Sequence, residues 1–170
     1  IAGNKDIEEM VCALAKFLRV GLSKGKEFYR VRDELEHARQ YLLINMIRYK
    51  DCFTFDIDAE PSVLEHMTIK IILQPIVENA IKYGINKKNT DGYINISVKR
   101  EGRALLFEVT DNGPGIPEHK LTALGNLLND HTIDSDTENG FGLYNINQRI
   151  WLRFGEGYGI TLDSEMGKGT

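Results

Sequence analysis

Apolar residues recur at three- and four-residue steps over the first 22 positions. Ile7, Met10, Val11, Leu14, Phe17, Leu18 and Leu22 mark one stripe of an amphipathic helix. Ser23-Lys24-Gly25-Lys26 breaks it, and the pattern resumes from about Asp33 to Tyr49, with Leu35, Ala38, Leu42 and Met46 on one side. Two helices joined by a short break predict a helical hairpin, part of a bundle rather than of a sheet. The period changes at residue 51. Phe53, Phe55 and Ile57 alternate with Thr54, Asp56 and Asp58, which predicts a half-buried strand. Ile69, Ile72, Leu73, Ile76, Val77, Ala80 and Ile81 then form the most regular helical stripe of the chain. Pro75 within it predicts a kink or a carbonyl without its usual partner, and Gly84 a stop. A turn at Asn89–Gly92 leads to two strands, Tyr93–Lys99 and Ala104–Thr110, joined at Glu101-Gly102. A helix over Leu143–Phe154 and a short strand over Gly159–Ser164 complete the pattern.

Helices and strands around glycine loops make residues 51–170 a two-layer α/β sandwich of the α+β class, with residues 1–50 a helical hairpin before it. The chain stops on Gly167-Lys168-Gly169-Thr170, where a turn would feed another strand, so the last strand is expected to be cut short. Of 170 residues, 42% are hydrophobic and 27% charged, a globular balance. With 21 basic against 25 acidic residues and a net charge of −4, no basic excess exists to neutralise nucleic acid. The apolar runs are far short of the ~20 residues of a spanning helix, and the N-terminus carries no signal-like segment. Cys12 and Cys52 match no metal-ligand spacing and point to a reducing, cytoplasmic setting.

Three segments carry candidate chemistry. In Gln74–Gly84, Asn79 precedes Lys82 by three residues and Tyr83 by four, so the three side chains can share a helix face. A neutral Asn oxygen suits Mg²⁺, which keeps most of its waters and phosphate oxygens, and Lys82 can meet a phosphate as a point charge. A polar helix edge explains the same residues. Asp111-Asn112-Gly113-Pro114-Gly115 follows a strand directly. There an Asp can accept a hydrogen bond from an exocyclic amine, and the glycines let a flat ring approach the backbone. A tight turn is the plainer account. Gly140-Phe141-Gly142-Leu143 opens a helix, where unpaired N–H groups and the helix dipole favour an anion. It is neither the Rossmann nor the P-loop pattern.

Taken in order, these segments and the final Gly167–Thr170 resemble the ATP-binding domain of the superfamily of histidine kinases, gyrase, heat-shock chaperones and mismatch-repair ATPases. Leu35-Glu36-His37, Tyr41-Leu42, Arg48-Tyr49, Leu73–Ala80, Gly142–Asn145 and Gln148-Arg149 are similar to LytS-like sensor histidine kinases of two-component systems. The resemblance spans nearly the whole chain. It implies a Bergerat ATP-binding fold at 51–170, preceded by a remnant of the dimerisation and phosphoacceptor helices at 1–50. Carried over by motif, Asn79 is the Mg²⁺ ligand, and Lys82 and Tyr83 flank the phosphates. Asp111 reads the adenine amino group, helped by Gly113, Gly115 and Thr170. Residues from about Glu118 to Asn139 form a mobile ATP lid closed by Gly140, Gly142 and Leu143. Asp130, Asp134, Asp136 and Glu138 place the lid tip in solvent, away from the triphosphate.

The resemblance also bears on the reaction. Hydrolytic members of the superfamily set a Glu four residues before the Asn as general base. Here that position is Pro75, and Glu78 lies about 100° round the helix from Asn79, which favours phosphoryl transfer to a protein side chain. The four histidines are His37, His66, His119 and His131, and none lies in the Pro-His-Phe type of acceptor segment. The acceptor histidine is therefore expected upstream of Ile1, with His37, on a bundle helix, the one serious exception. Relay to a response regulator, homodimerisation through the helices and a membrane anchor outside this chain follow from the same resemblance. Two other readings stay open: a serine/threonine kinase of the anti-sigma type, and a non-catalytic module that nucleotide merely orders.

Overall fold

The computed structural model describes residues 2–21, 27–50, 52–85, 91–130 and 141–170. Helix α1 (Ala2–Gly21) and helix α2 (Val31–Arg48) form the expected hairpin, with the short strand β1 (Phe28–Arg30) between them. The apolar stripe of α1 does not all face α2. Ala13 is buried and Phe17 half-buried, while Ile7, Val11, Leu14 and Leu18 stay exposed. Leu35, Ala38 and Leu42 of α2 enter the core as their spacing predicts.

Strand β2 (Phe53–Ala59) pairs in parallel with β4 (Gly92–Glu101), which pairs antiparallel with β5 (Ala104–Asp111). A separate antiparallel pair joins β1 to β3 (Met67–Ile69), with Phe28 opposite Ile69. Neither short strand stands out by alternation. Their partner in the chain, Val31, donates its N–H to the His66 carbonyl at 2.9 Å, so the pair fixes where α2 starts.

Helix α3 (Leu73–Asn79) is shorter than the stripe, and Ile69 belongs to β3 instead. Pro75 falls in the first turn of α3, where its missing N–H has no intrahelical acceptor to lose, so the expected kink is absent. The helix continues as a π-turn over Ala80–Gly84, closed by the Ile85 N–H bonding the Ala80 carbonyl at 3.0 Å. Gly84 ends it as expected. Helix α4 (Glu118–Asn129) occupies the first part of the span expected to be lid, and helix α5 (Phe141–Phe154) follows residues outside the description. The remainder of that span, with His131, Asp134, Asp136 and Glu138, lies outside the described residues. Residues 159–164 are not a strand. There the chain instead makes a single antiparallel bridge, Glu165 with Gly169, because the 164–170 segment folds back onto the end of β5.

The result is two layers. Phe53, Ile94, Ile96 and Val98 point from the sheet into a core completed by Leu73, Val77 and Ile81 of the α3 unit and by α2. Helix α5 packs on α3, and α4 on α5. Buried Asn147 of α5 holds this edge together. Its amide donates to the Leu128 carbonyl at 2.7 Å, and its oxygen accepts the Ile160 N–H at 2.6 Å.

Candidate nucleotide site

In the register of β4 and β5, Ile94 lies opposite Asp111, Ile96 opposite Val109 and Val98 opposite Phe107. Opposed residues share a face of a sheet. Asp111 therefore continues the inward row Leu105, Phe107, Val109 and brings a carboxylate to the core face at the very end of the strand. Burial pushes its carboxyl above the usual range, opposed by N–H groups of Gly113 and Thr170 that hydrogen-bond to it. The Gly113 bond is 2.8 Å.

The π-turn closes over this carboxylate. A Cβ on Gly113 would stand 2.2 Å from the Gly84 carbonyl oxygen and 2.6 Å from Asp111 Oδ1, and a Cβ on Gly84 would stand 2.5 Å from the same carboxylate. Contact this close admits hydrogen only, so both positions require glycine. Gly115 adopts φ +74, and a Cβ there would meet the Glu165 carbonyl oxygen at 2.3 Å. The C-terminal segment straps this loop down. Gly167 N–H donates to the Pro114 carbonyl at 2.9 Å, and Asp111 N–H donates to the Thr170 carbonyl at 2.9 Å. Ser164 Oγ accepts the Ile116 N–H at 2.8 Å and lies 2.9 Å from Thr170 Oγ1. A concave pocket of about 340 Å³ opens beside Gly84 and Gly113, with Tyr83 and Pro114 on its wall. That volume falls at the lower end of the range for small-molecule sites.

The structure thus joins Asp111, Gly113 and Thr170 by hydrogen bonds, with Gly115 packed on Glu165 beside them, and Tyr83 lines the pocket. Lys82 and Tyr83 both project outward, with the Lys82 ammonium 4.8 Å from the centre of the Tyr83 ring. The bond to the Tyr83 hydroxyl raises the Lys82 pKa. Asn79 is half-exposed at the end of α3, immediately before the π-turn. Gly142 sits where α5 meets α3, since a Cβ on it would lie 3.3 Å from Pro75 Cβ, and the adjacent Leu143 is buried. Gly140 lies outside the described residues.

Among the described residues, no group of three or more His, Cys, Asp or Glu side chains could cage a metal. A hard cation here would rest on one neutral oxygen plus phosphates and waters, which Asn79 can supply and which suits Mg²⁺. His37 is not available as a surface nucleophile: it is 1% exposed, its ring stacked on Phe17 at 4.4 Å. Burial lowers its pKa, with the Lys70 charge adding to the effect. Sequence reasoning missed three contributors: Gly84, read only as a helix stop, Ser164 and Glu34. For Glu34 the signal was present, as a charged residue four before Ala38 and eight before Leu42 on the buried stripe of α2.

Residues 64–170 match the family model described as histidine kinase-, DNA gyrase B- and HSP90-like ATPase, and residues 1–53 match a histidine kinase model. The sensor histidine kinase YesM of Bacillus subtilis is 32% identical over 98% of this chain and 27% of its own length. The sensor histidine kinase BtsS of Escherichia coli is 30% identical over 95% of the chain and 26% of its own length. The sensor protein LytS of Bacillus cereus is 28% identical over 97% and 28%. This chain spans about a quarter of the length of these relatives. Of solved structures, the Acinetobacter baumannii histidine kinase AdeS superposes with a TM-score of 0.54 at 16% identity, over 94% of this chain and 72% of that one, a likeness of fold. Matched over residues 64–170 by the ATPase model, the chain belongs to the histidine kinase-, DNA gyrase B- and HSP90-like ATPase family, as an ATP-binding domain.

Proposed function

We propose that this chain holds Mg-ATP for transfer of the γ-phosphoryl to a histidine, as the catalytic part of a two-component sensor whose product is relayed to a response regulator. The observation that carries this reading is the seat at Asp111: a carboxylate on the core face of β5, half-buried and walled by Gly84 and Gly113. A flat base reaches such a carboxylate edge-on, and its exocyclic amine finds an acceptor already oriented by the Gly113 N–H. Thr170, Gly115 and Gly113 hold that edge in place. Asn79 supplies the oxygen for Mg²⁺, with Lys82 and Tyr83 toward the phosphates and Gly142 and Leu143 at the start of α5; Gly140, outside the described residues, joins them by resemblance alone. Bound Mg²⁺ would neutralise phosphate charge, which with positioning is most of what phosphoryl transfer requires.

Transfer is favoured over hydrolysis. The residue four before Asn79 is Pro75, packed against α5, and the neighbouring carboxylate Glu78 is exposed. Neither is placed to activate a water beside the phosphates. Since His37 is buried, we assign the acceptor to a histidine outside these 170 residues. Residues 1–50 are read as the dimerisation helices and 51–170 as the catalytic domain. The exposed Ile7, Val11, Leu14 and Leu18 of α1, at heptad-like spacing, support a homodimer through that helix. Among the described residues no helix is long and apolar enough to cross a membrane; we read the chain as the cytoplasmic domain of a membrane-anchored sensor.

Replacing Asp111 by Ala tests the reading. Loss of a hydrogen bond to a charged acceptor, worth ~1.5–3 kcal/mol, lowers ATP affinity roughly tenfold to over a hundredfold while the fold survives. Calorimetric titration with unchanged affinity would sink the assignment.

A further inference from the structure

Where α2 passes under the start of α3, Glu34 is entirely buried, 0% exposed. Its Oε2 accepts the N–H of Ile71 at 2.8 Å, and its Oε1 accepts those of Ile72 at 2.7 Å and Leu73 at 2.9 Å. Ile72 is the N-cap of α3 and Leu73 its first residue, so their N–H groups have no intrahelical partner, and Ile71 precedes them in the link from β3. Ile71 is held at φ 59, a left-handed conformation that a β-branched residue adopts only when its surroundings enforce it. From the other side, the Arg149 guanidinium of α5 donates to the Lys70 carbonyl at 2.7 Å. Burial pushes the Glu34 carboxyl up, and the three N–H groups and the Arg149 charge pull it back.

A buried carboxylate is costly, and it reaches donors that a local N-cap side chain, which serves the second and third helical residues, would not. What the distant residue adds is a tie between elements. The three bonds lock the start of α3 to one level along α2, and Asn79 lies six residues further along that same short helix. Asp111, by contrast, is held by Gly84, Gly113 and the C-terminal strap, with no bond to α2 among its described partners. We propose that Glu34 is a positioning residue for the nucleotide site, setting where Asn79 stands relative to Asp111 so that a displacement of α2 moves the metal end of the site and leaves the base end in place. This rests on the reading of Asn79 and Asp111 given above.

The test compares the unaltered chain with Glu34→Gln, which keeps the volume and one acceptor oxygen, and Glu34→Ala, which removes both. Calorimetry would measure Mg-ATP and, separately, adenosine, which has no phosphate to engage the Asn79 end. Amide exchange would compare residues 71–79 with Ile94–Val98. Glu34→Gln is expected to weaken Mg-ATP roughly tenfold, the usual cost of losing a group that orients a metal ligand, with adenosine affinity within about twofold. Exchange should quicken over 71–79 and stay unchanged in β4. Equal losses for both ligands, or unchanged Mg-ATP affinity alongside a lowered melting temperature, would overturn the inference and leave Glu34 a core hydrogen-bonding group. If Glu34→Ala does not fold, Glu34→Gln alone decides. Failure of the unaltered chain to bind Mg-ATP, or indifference of binding to Asp111→Ala, would instead overturn the nucleotide site itself and this inference with it.

Discussion

The two ends of the proposed nucleotide site are built differently. At the Asp111 end, backbone lies on backbone: Gly84 against Gly113, Gly115 against Glu165, Thr170 against Asp111. Nothing there can move without a clash. At the Asn79 end, a seven-residue helix is set by three hydrogen bonds to one side chain from another element. Backbone on backbone gives a fixed seat, whereas a helix packed by Leu73 and Val77 and tied at its start by one side chain takes its position from the elements around it. The proposed function has use for both, since recognition of a base needs constancy and transfer of a phosphoryl needs control.

The sharpest way to break the contrast is at the rigid end. Gly113→Ala would put a methyl carbon 2.2 Å from the Gly84 carbonyl oxygen, with backbone on both sides. Overpacking of this kind should cost ~3 kcal/mol or more and leave no measurable ATP binding, as urea unfolding and calorimetry together would reveal. A smaller effect belongs to the other end. Asn79→Ala should weaken Mg-ATP about tenfold yet leave ADP binding in EDTA unchanged, and equal losses would reduce Asn79 to a helix residue.

The smallest effect concerns the pH dependence of stability. Because the folded carboxyl of Asp111 lies above its ordinary 3.8, its contribution to stability is complete below that value and is lost as pH rises through the folded value. Between about pH 4 and about pH 7 the unaltered chain should therefore lose melting temperature relative to Asp111→Asn, by roughly 2–4 °C for each kcal/mol involved. Parallel melting curves for the two proteins over that range would contradict the burial that gives Asp111 its character.

Much of this was readable from the residues. The alternation Leu105, Phe107, Val109 runs into Asp111, so period alone places a carboxylate on the core face. Gly102, at φ +60, joins β4 to β5 where the turn was expected. What escaped was set by partners far along the chain. The strands β1 and β3 are three residues each and exist by pairing with one another, too short for alternation to register. The stripe from Ile69 to Ile81 looked like one helix because Ile69 and Ile72 are buried for a different reason, as part of a strand and of the strained link after it. Residues 159–164 alternate like a strand but are drawn to other partners, the Ile160 N–H by Asn147 and Ser164 by Ile116 and Thr170. On α1, hydrophobic period marks the helix correctly without saying which apolar residues its hairpin partner covers.

The parallel pairing of β2 with β4 has a consequence for how the molecule assembles. The hairpin of β4 and β5 closes over two residues, Gly102 and Arg103, and such local pairs form within microseconds. Placing β2 alongside β4 means closing a loop that contains residues 60–91, and so β3, α3 and the π-turn. Non-local closure of this sort is the slow part of folding. Asn79 and Gly84 travel inside that loop, while Asp111 and Gly113 lie on and just past the hairpin. Completion of the sheet and the meeting of the two halves of the site therefore belong to one step, and a chain caught before it would hold the Asp111 carboxylate with no wall above it.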